Sequence, residues 1–157
     1  MKDFAHELKS IQASLHELHK LLLSTLKKDR ERLTGQALQP AEWFQILIGA
    51  PEYVWLKTLN SLISDVDALS ESSKLAAQDI AILRSEVERL FFKEDGDAAS
   101  FNSHYRKLFA HNHDVMYSHG HLKTAFSSLP DDKPPVNAEE IRLGWHKIGA
   151  SKRKLLN

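Results

Sequence analysis

From Phe4 to about Leu33 the apolar residues Phe4, Leu8, Ile11, Leu15, Leu18, Leu22 and Leu26 recur at alternating steps of three and four. That rhythm puts them on one face of a helix and on both faces of a strand, so it specifies one long amphipathic helix. At 1.5 Å per residue such a helix is about 45 Å long. A stripe of that length needs an apolar surface of similar length to cover it, which constrains the rest of the chain to supply helices that pack along it. Thr34 and Gly35 end the pattern, and glycine takes the left-handed conformation that closes a helix without a Cβ penalty.

The remaining segments meet that demand. Pro40 is well tolerated as a first helical residue and opens a short helix containing Trp43, Phe44, Leu47 and Ile48, which Gly49, Ala50 and Pro51 close. A third helix is predicted to bury Trp55, Leu59, Leu62, Ile63, Val66 and Leu69, with the serine-rich stretch from Ser70 to Ser73 as turn and N-cap. Ala76, Ile80, Leu83, Val87 and Leu90 mark a fourth, ending near Phe92. Asp97 or Ser100 caps a fifth, read as one continuous helix through Phe101, Tyr105, Leu108, Val115, His119, Leu122 and Phe126 to Pro130. Residues 130–135 hold three prolines and two aspartates and read as an extended connector. A last helix starts at Ala138 behind Asn137 and carries Ile141, Trp145 and Ile148 on one face.

No segment alternates apolar and polar residues as a half-buried strand does. The expected fold is all-α. It is an antiparallel bundle of four long helices, with a short helix after the first and a C-terminal amphipathic helix. Residues 1–130 form the bundle, and 131–157 add the connector and a helix that packs on the bundle or on a partner, within a single domain overall. At 157 residues, 42% hydrophobic and 27% charged, the chain has the makeup of an ordinary globular domain.

Lys plus Arg and Asp plus Glu both number 21, so no net charge draws the molecule to nucleic acid or anionic membrane. The absence of cysteine excludes disulfides, thiolate metal sites and cysteine nucleophiles. Met1-Lys2-Asp3-Phe4 leads directly into amphipathic sequence without the apolar core of a secretory signal, and no stretch reaches the roughly 20 apolar residues of a membrane span. A cytoplasmic location is therefore expected.

Nine histidines are the unusual count. Helical bundles hold metals with imidazoles and carboxylates projecting from facing helices, yet no glutamate here has a histidine three residues later. The run His16-Glu17-Leu18-His19-Lys20 has lysine where a zinc-protease helix needs its second histidine. His119 lies within an apolar stripe and His19 borders the Leu15, Leu22, Leu26 face. With Asp65 and Asp67 flanking the stripe of the third helix, these four are the candidate metal or acid–base residues. The alternative reading is a buried hydrogen-bond network that sets helix register. The sequence has no Gly-rich phosphate loop, nucleophile elbow or dinucleotide fingerprint.

The segments Leu18-His19-Lys20-Leu21-Leu22, Gly49-Ala50-Pro51-Glu52-Tyr53-Val54-Trp55-Leu56, Leu62-Ile63-Ser64-Asp65-Val66-Asp67 and Asp114-Val115-Met116-Tyr117-Ser118-His119 together resemble those of a family of short, all-helical bacterial proteins of unknown function. The resemblance implies a bacterial origin and an all-helical fold. It places His19, Asp65, Asp67 and His119 within family motifs and implies no reaction. The chain departs from that pattern in its histidines around His111 and His113 and in a longer C-terminal extension.

Together these features lead to the expectation of a non-catalytic module acting through a protein partner or a homodimer, with the helix face of Ile141, Trp145 and Ile148 or an exposed bundle face as the interface, and no cofactor. One alternative is a hemerythrin-like or ferritin-like bundle binding a divalent metal ion. Another is weak nucleic-acid binding through Arg142, Lys147, Lys152, Arg153 and Lys154.

Overall fold

The computed structural model describes residues 4–72 and 74–156, with the side chains of 148–156 outside the description. All regular structure among these residues is helical: α1 (Ala5–Thr34), α2 (Pro40–Gly49), a 3₁₀ turn (Pro51–Leu56), α3 (Lys57–Ser70), α4 (Ala77–Phe91), α5 (Phe101–His111), α6 (His113–Ser127) and α7 (Ala138–Leu156). No helix among the described residues is long and apolar enough to cross a membrane.

The long first helix forms as its spacing requires. Leu8, Ile11, Leu15, Leu18 and Leu22 are buried, and Gly35 ends the helix at φ 72° with its N–H bonded to the Glu31 carbonyl over 2.8 Å. α1 packs along α3 and α6, whose Leu59, Leu62, Val66, Val115 and Leu122 share its core. α7 lies against α3 and α4. The consecutive residues Ile80, Ala81, Ile82 and Leu83 of α4 are all buried, which one amphipathic face cannot achieve. They are covered from several sides because α4 touches α3, α5 and α7.

Three local expectations are corrected. The helix foreseen from Phe101 to Pro130 is two helices, broken where Asn112 is extended at φ −137° and ψ 113°. Its side-chain oxygen accepts from the Val115 N–H at 3.0 Å, capping α6, while its Nδ2 donates to the Thr25 hydroxyl of α1 at 3.2 Å. Gly120, by contrast, lies within an unbroken α6. Second, the serine-rich stretch does not cap α4: Ala76 is the N-cap, and Asp79 reaches back to accept its backbone N–H at 3.0 Å. Third, residues 51–56 form a 3₁₀ turn rather than the start of the third helix. Pro51 opens that turn, and the Trp55 indole bonds the Glu52 carbonyl at 3.0 Å. The N-cap of α5 is Ser100, which accepts from Ser103 N–H at 3.1 Å.

A candidate binding cleft between α1 and α3

Interhelical partners fix how α1 and α3 are aligned. His19 interacts with Asn60, and further along His16 and Gln12 both bond Asp67 Oδ1, at 2.9 and 2.8 Å. Numbers fall along α1 as they rise along α3, so the two helices are antiparallel. Their outer edges form a continuous groove in two parts.

The first part is an apolar cavity of about 380 Å³ walled by Leu23 of α1, Phe44, Leu47 and Ile48 of α2, and Val54 and Leu56 of the turn. This lies within the size range of small-molecule and peptide-anchor sites, and its makeup is typical of them. The sharp bend at Gly49, Ala50 and Pro51 holds α2 beside the turn. An edge-to-face contact between Trp43 and Tyr53, with ring centres 5.3 Å apart, ties them together. Trp43 is thereby buried, and Phe44 and Ile48 on the opposite side of α2 face outward, 58% and 61% exposed, with Val54 at 55%. Lys57 and the His19–Asn60 pair supply the polar groups.

The second part, about 420 Å³, shares His19 and Asn60 with the first and is polar. Its lining includes His16, Asp67, Glu71 and, from α7, His146, and among the described residues no lysine or arginine lines it. Burial holds the pKa of His19 below the ordinary 6.5; hydrogen bonding to Asn60 partly opposes this, and the nearby His16 adds to it. His19 is therefore a neutral hydrogen-bonding group at the junction of the two parts.

The four candidate metal residues occupy different settings. His19 and Asp67 line the polar cavity. Asp65 is buried and tied to α7, accepting from Arg142 Nε at 2.9 Å and from Arg142 Nη2, while its other oxygen pairs with His146 Nε2. His119 sits among Phe92, Phe109 and Tyr105, with ring centres 5.0, 4.7 and 5.6 Å away. Its Nδ1 lies 2.6 Å from the Tyr105 hydroxyl. Burial, with Lys123 and Arg106 nearby, lowers the His119 pKa, and burial raises that of Tyr105. Both groups are therefore held in their neutral forms, joined by one hydrogen bond between the hydroxyl and Nδ1. Among the described residues no group of three or more His, Asp or Glu side chains is placed to hold a metal ion.

Of the residues read as an interface, Trp145 is buried against its own chain and Ile141 packs at the core edge, whereas the side chain of Ile148 lies outside the described residues. Arg142 is engaged by Asp65 and by Glu86, at 3.3 Å for the latter. The side chains of Lys152, Arg153 and Lys154 lie outside the described residues as well.

Sequence reasoning missed the cleft because it placed Phe44, Leu47 and Ile48 on the short helix without dividing that helix into a buried and an outward face. A signal was present: Trp43, Phe44, Ile46, Leu47 and Ile48 are five apolar residues within six positions, too many for one buried face of a ten-residue helix. No protein-family model, no curated protein and no solved structure matches the chain.

Proposed function

We propose that the protein is a non-catalytic interaction module whose docking surface is the cleft between α1 and α3. The observation that carries this reading is the exposure of Phe44, Ile48 and Val54 around one apolar cavity. Clustered apolar side chains beside a concave site mark interaction surfaces, whereas singly scattered ones do not. Completing the burial of these three side chains is worth roughly 3–5 kcal/mol. That is a sizeable fraction of the about 8 kcal/mol that a micromolar complex requires. The bend at Pro51 and the Trp43–Tyr53 contact hold the site in shape before anything binds, which lowers the ordering cost of association.

The test replaces Ile48 in the full chain with a photo-crosslinking amino acid and compares adducts formed in cells with those of the same probe in a Phe44→Ser background. A discrete protein adduct that the second substitution abolishes, with the circular dichroism unchanged, supports the reading. Adducts indifferent to Phe44→Ser overturn it.

A divalent metal is the second reading, favoured by one observation: His16, His19, His146 and Asp67 all line the polar cavity. These side chains have to turn inward to share an ion. Elemental analysis of untagged protein purified without chelator tests this. A stoichiometric metal lost in His19→Ala supports it, and metal-free wild-type protein ends it.

A further inference from the structure

The apolar part of the cleft has a chemistry of its own, independent of what covers its rim. Leu23, Leu47 and Leu56 help to wall it, and its volume of about 380 Å³ is that of a small-molecule site. Its polar side chains come from His19 of α1 and from Lys57 and Asn60, which are three apart and so share one face of α3. His19 and Asn60 are hydrogen-bonded to each other. Whichever of the two donates, the pair keeps an N–H free: that of the Asn60 amide in one case, that of the second His19 nitrogen in the other. The charge beside the cavity has one sign. Among the described residues no aspartate or glutamate lines it, and none pairs with Lys57. Glu52, in the turn just before α3, is held by Arg30. Lys57 and Asn60 are both exposed, so an anionic head beside them stays partly in water and avoids the cost of full burial while its tail leaves water.

We infer that this cavity binds a small carboxylic acid with an apolar tail. The tail rests on Leu23, Leu47 and Leu56, and the carboxylate meets the Lys57 ammonium and the free N–H of the His19–Asn60 pair. An alcohol of the same length accepts that hydrogen bond but gains little from Lys57, and an amine finds no negative charge to pair with. The inference stands apart from the docking reading, because a small ligand fills the cavity whether or not a protein covers its rim.

The probes are octanoate, octanol and octylammonium, each titrated into the full-length protein by calorimetry at low salt and below the concentration at which it aggregates. Octanoate is expected to bind about fivefold tighter than octanol, the upper range for an exposed ion pair, and octylammonium weakest. Hexanoate should bind about tenfold more weakly than octanoate, since each buried methylene contributes about fourfold. Lys57→Gln, with the circular dichroism unchanged, should bring octanoate to the affinity of octanol and leave octanol as it was. Ile48→Asp, at the rim, should weaken both. Octanol matching octanoate in the wild type, octylammonium binding best, or octanoate binding indifferent to both substitutions overturns the inference. So does octanoate that fails to bind at millimolar concentration, a result that leaves the docking reading to its own crosslinking test. An acetylated leucyl-leucine dipeptide with a free carboxylate is the last probe: if it binds and octanoate does not, the inference is overturned in favour of the C-terminus of a protein.

Discussion

The indole N–H of Trp145 donates to Oδ1 of Asp79 over 3.0 Å, and both residues are buried. The other oxygen of that carboxylate accepts the Ala76 N–H at the start of α4, so one side chain both caps α4 and anchors α7 to it. This bond gives Trp145 an intramolecular role.

Replacing Trp145 by Phe should therefore cost about 1–3 kcal/mol, because the buried Asp79 oxygen loses its partner. Asp79→Asn keeps an acceptor for the indole and should cost less than Asp79→Ala, which removes both bonds. Urea unfolding followed by far-UV circular dichroism orders the three variants. A Trp145→Phe protein as stable as wild type would show that the bond contributes nothing.

Asp65 provides the second tether of α7. Its carboxylate receives two bonds from Arg142 and pairs with His146, and its side chain is only 10% exposed. Asp65→Ala leaves the guanidinium half-buried and without that partner, which should destabilise the protein by about 2–3 kcal/mol. The double variant with Arg142→Met should recover part of the loss, since it removes a charge left with Glu86 alone and keeps the stem's packing. Simple additivity of the two single losses would argue against coupling.

The break at Asn112 is a cap, and caps have a characteristic sensitivity. Asn112→Ala should cost about 1–2 kcal/mol, whereas Asn112→Asp retains the oxygen that accepts from Val115 and should cost much less. Equal losses in thermal unfolding would place the importance of Asn112 in its Nδ2 bond to Thr25 instead.

His19 and His119 both have folded-state pKa values lowered from 6.5, chiefly by burial. The unfolded chain then binds more protons than the folded one in the window between the lowered values and 6.5, so stability rises with pH across that window. It is fully present above about pH 6.5 and falls as the solution is acidified below it. His119→Gln keeps a hydrogen-bond partner for the Tyr105 hydroxyl but cannot titrate, so its urea midpoint should change less than that of wild type between pH 7.5 and pH 5. An identical pH dependence would mean that His119 contributes nothing to it.

The long stripe of α1 was legible because every member of it, from Leu8 to Leu22, is buried, and repetition over many turns leaves a single geometric solution. The stop at Gly35 and the starts at Pro40 and Ala138 were legible for a similarly local reason: backbone freedom or its restriction acts within one or two residues. The break at Asn112 was obscured by an apolar rhythm that carries across it from Leu108 to Val115. An asparagine followed by Asp114 in a first turn was the available sign. Of the candidate site, His19 and Asp67 could be picked out because polar residues beside an apolar stripe attract notice. Phe44 and Ile48 could not, since an apolar residue reads the same whether it faces the core or a cleft.

Helical periodicity, capping chemistry and the absence of cysteine are properties of neighbouring residues, and the sequence by itself determined these: an all-helical chain, the course of α1 and the site of its closure. Pairings across 50 or more positions, such as Asp65 with His146 and Trp145 with Asp79, depend on which helices meet, as does the single outward face of α2. Many packings bury the same stripes equally well, so periodicity cannot choose among them. Only the tertiary structure decided that α7 is tied to α3 and α4, and that the α1–α3 edge is left open beside Phe44 and Ile48.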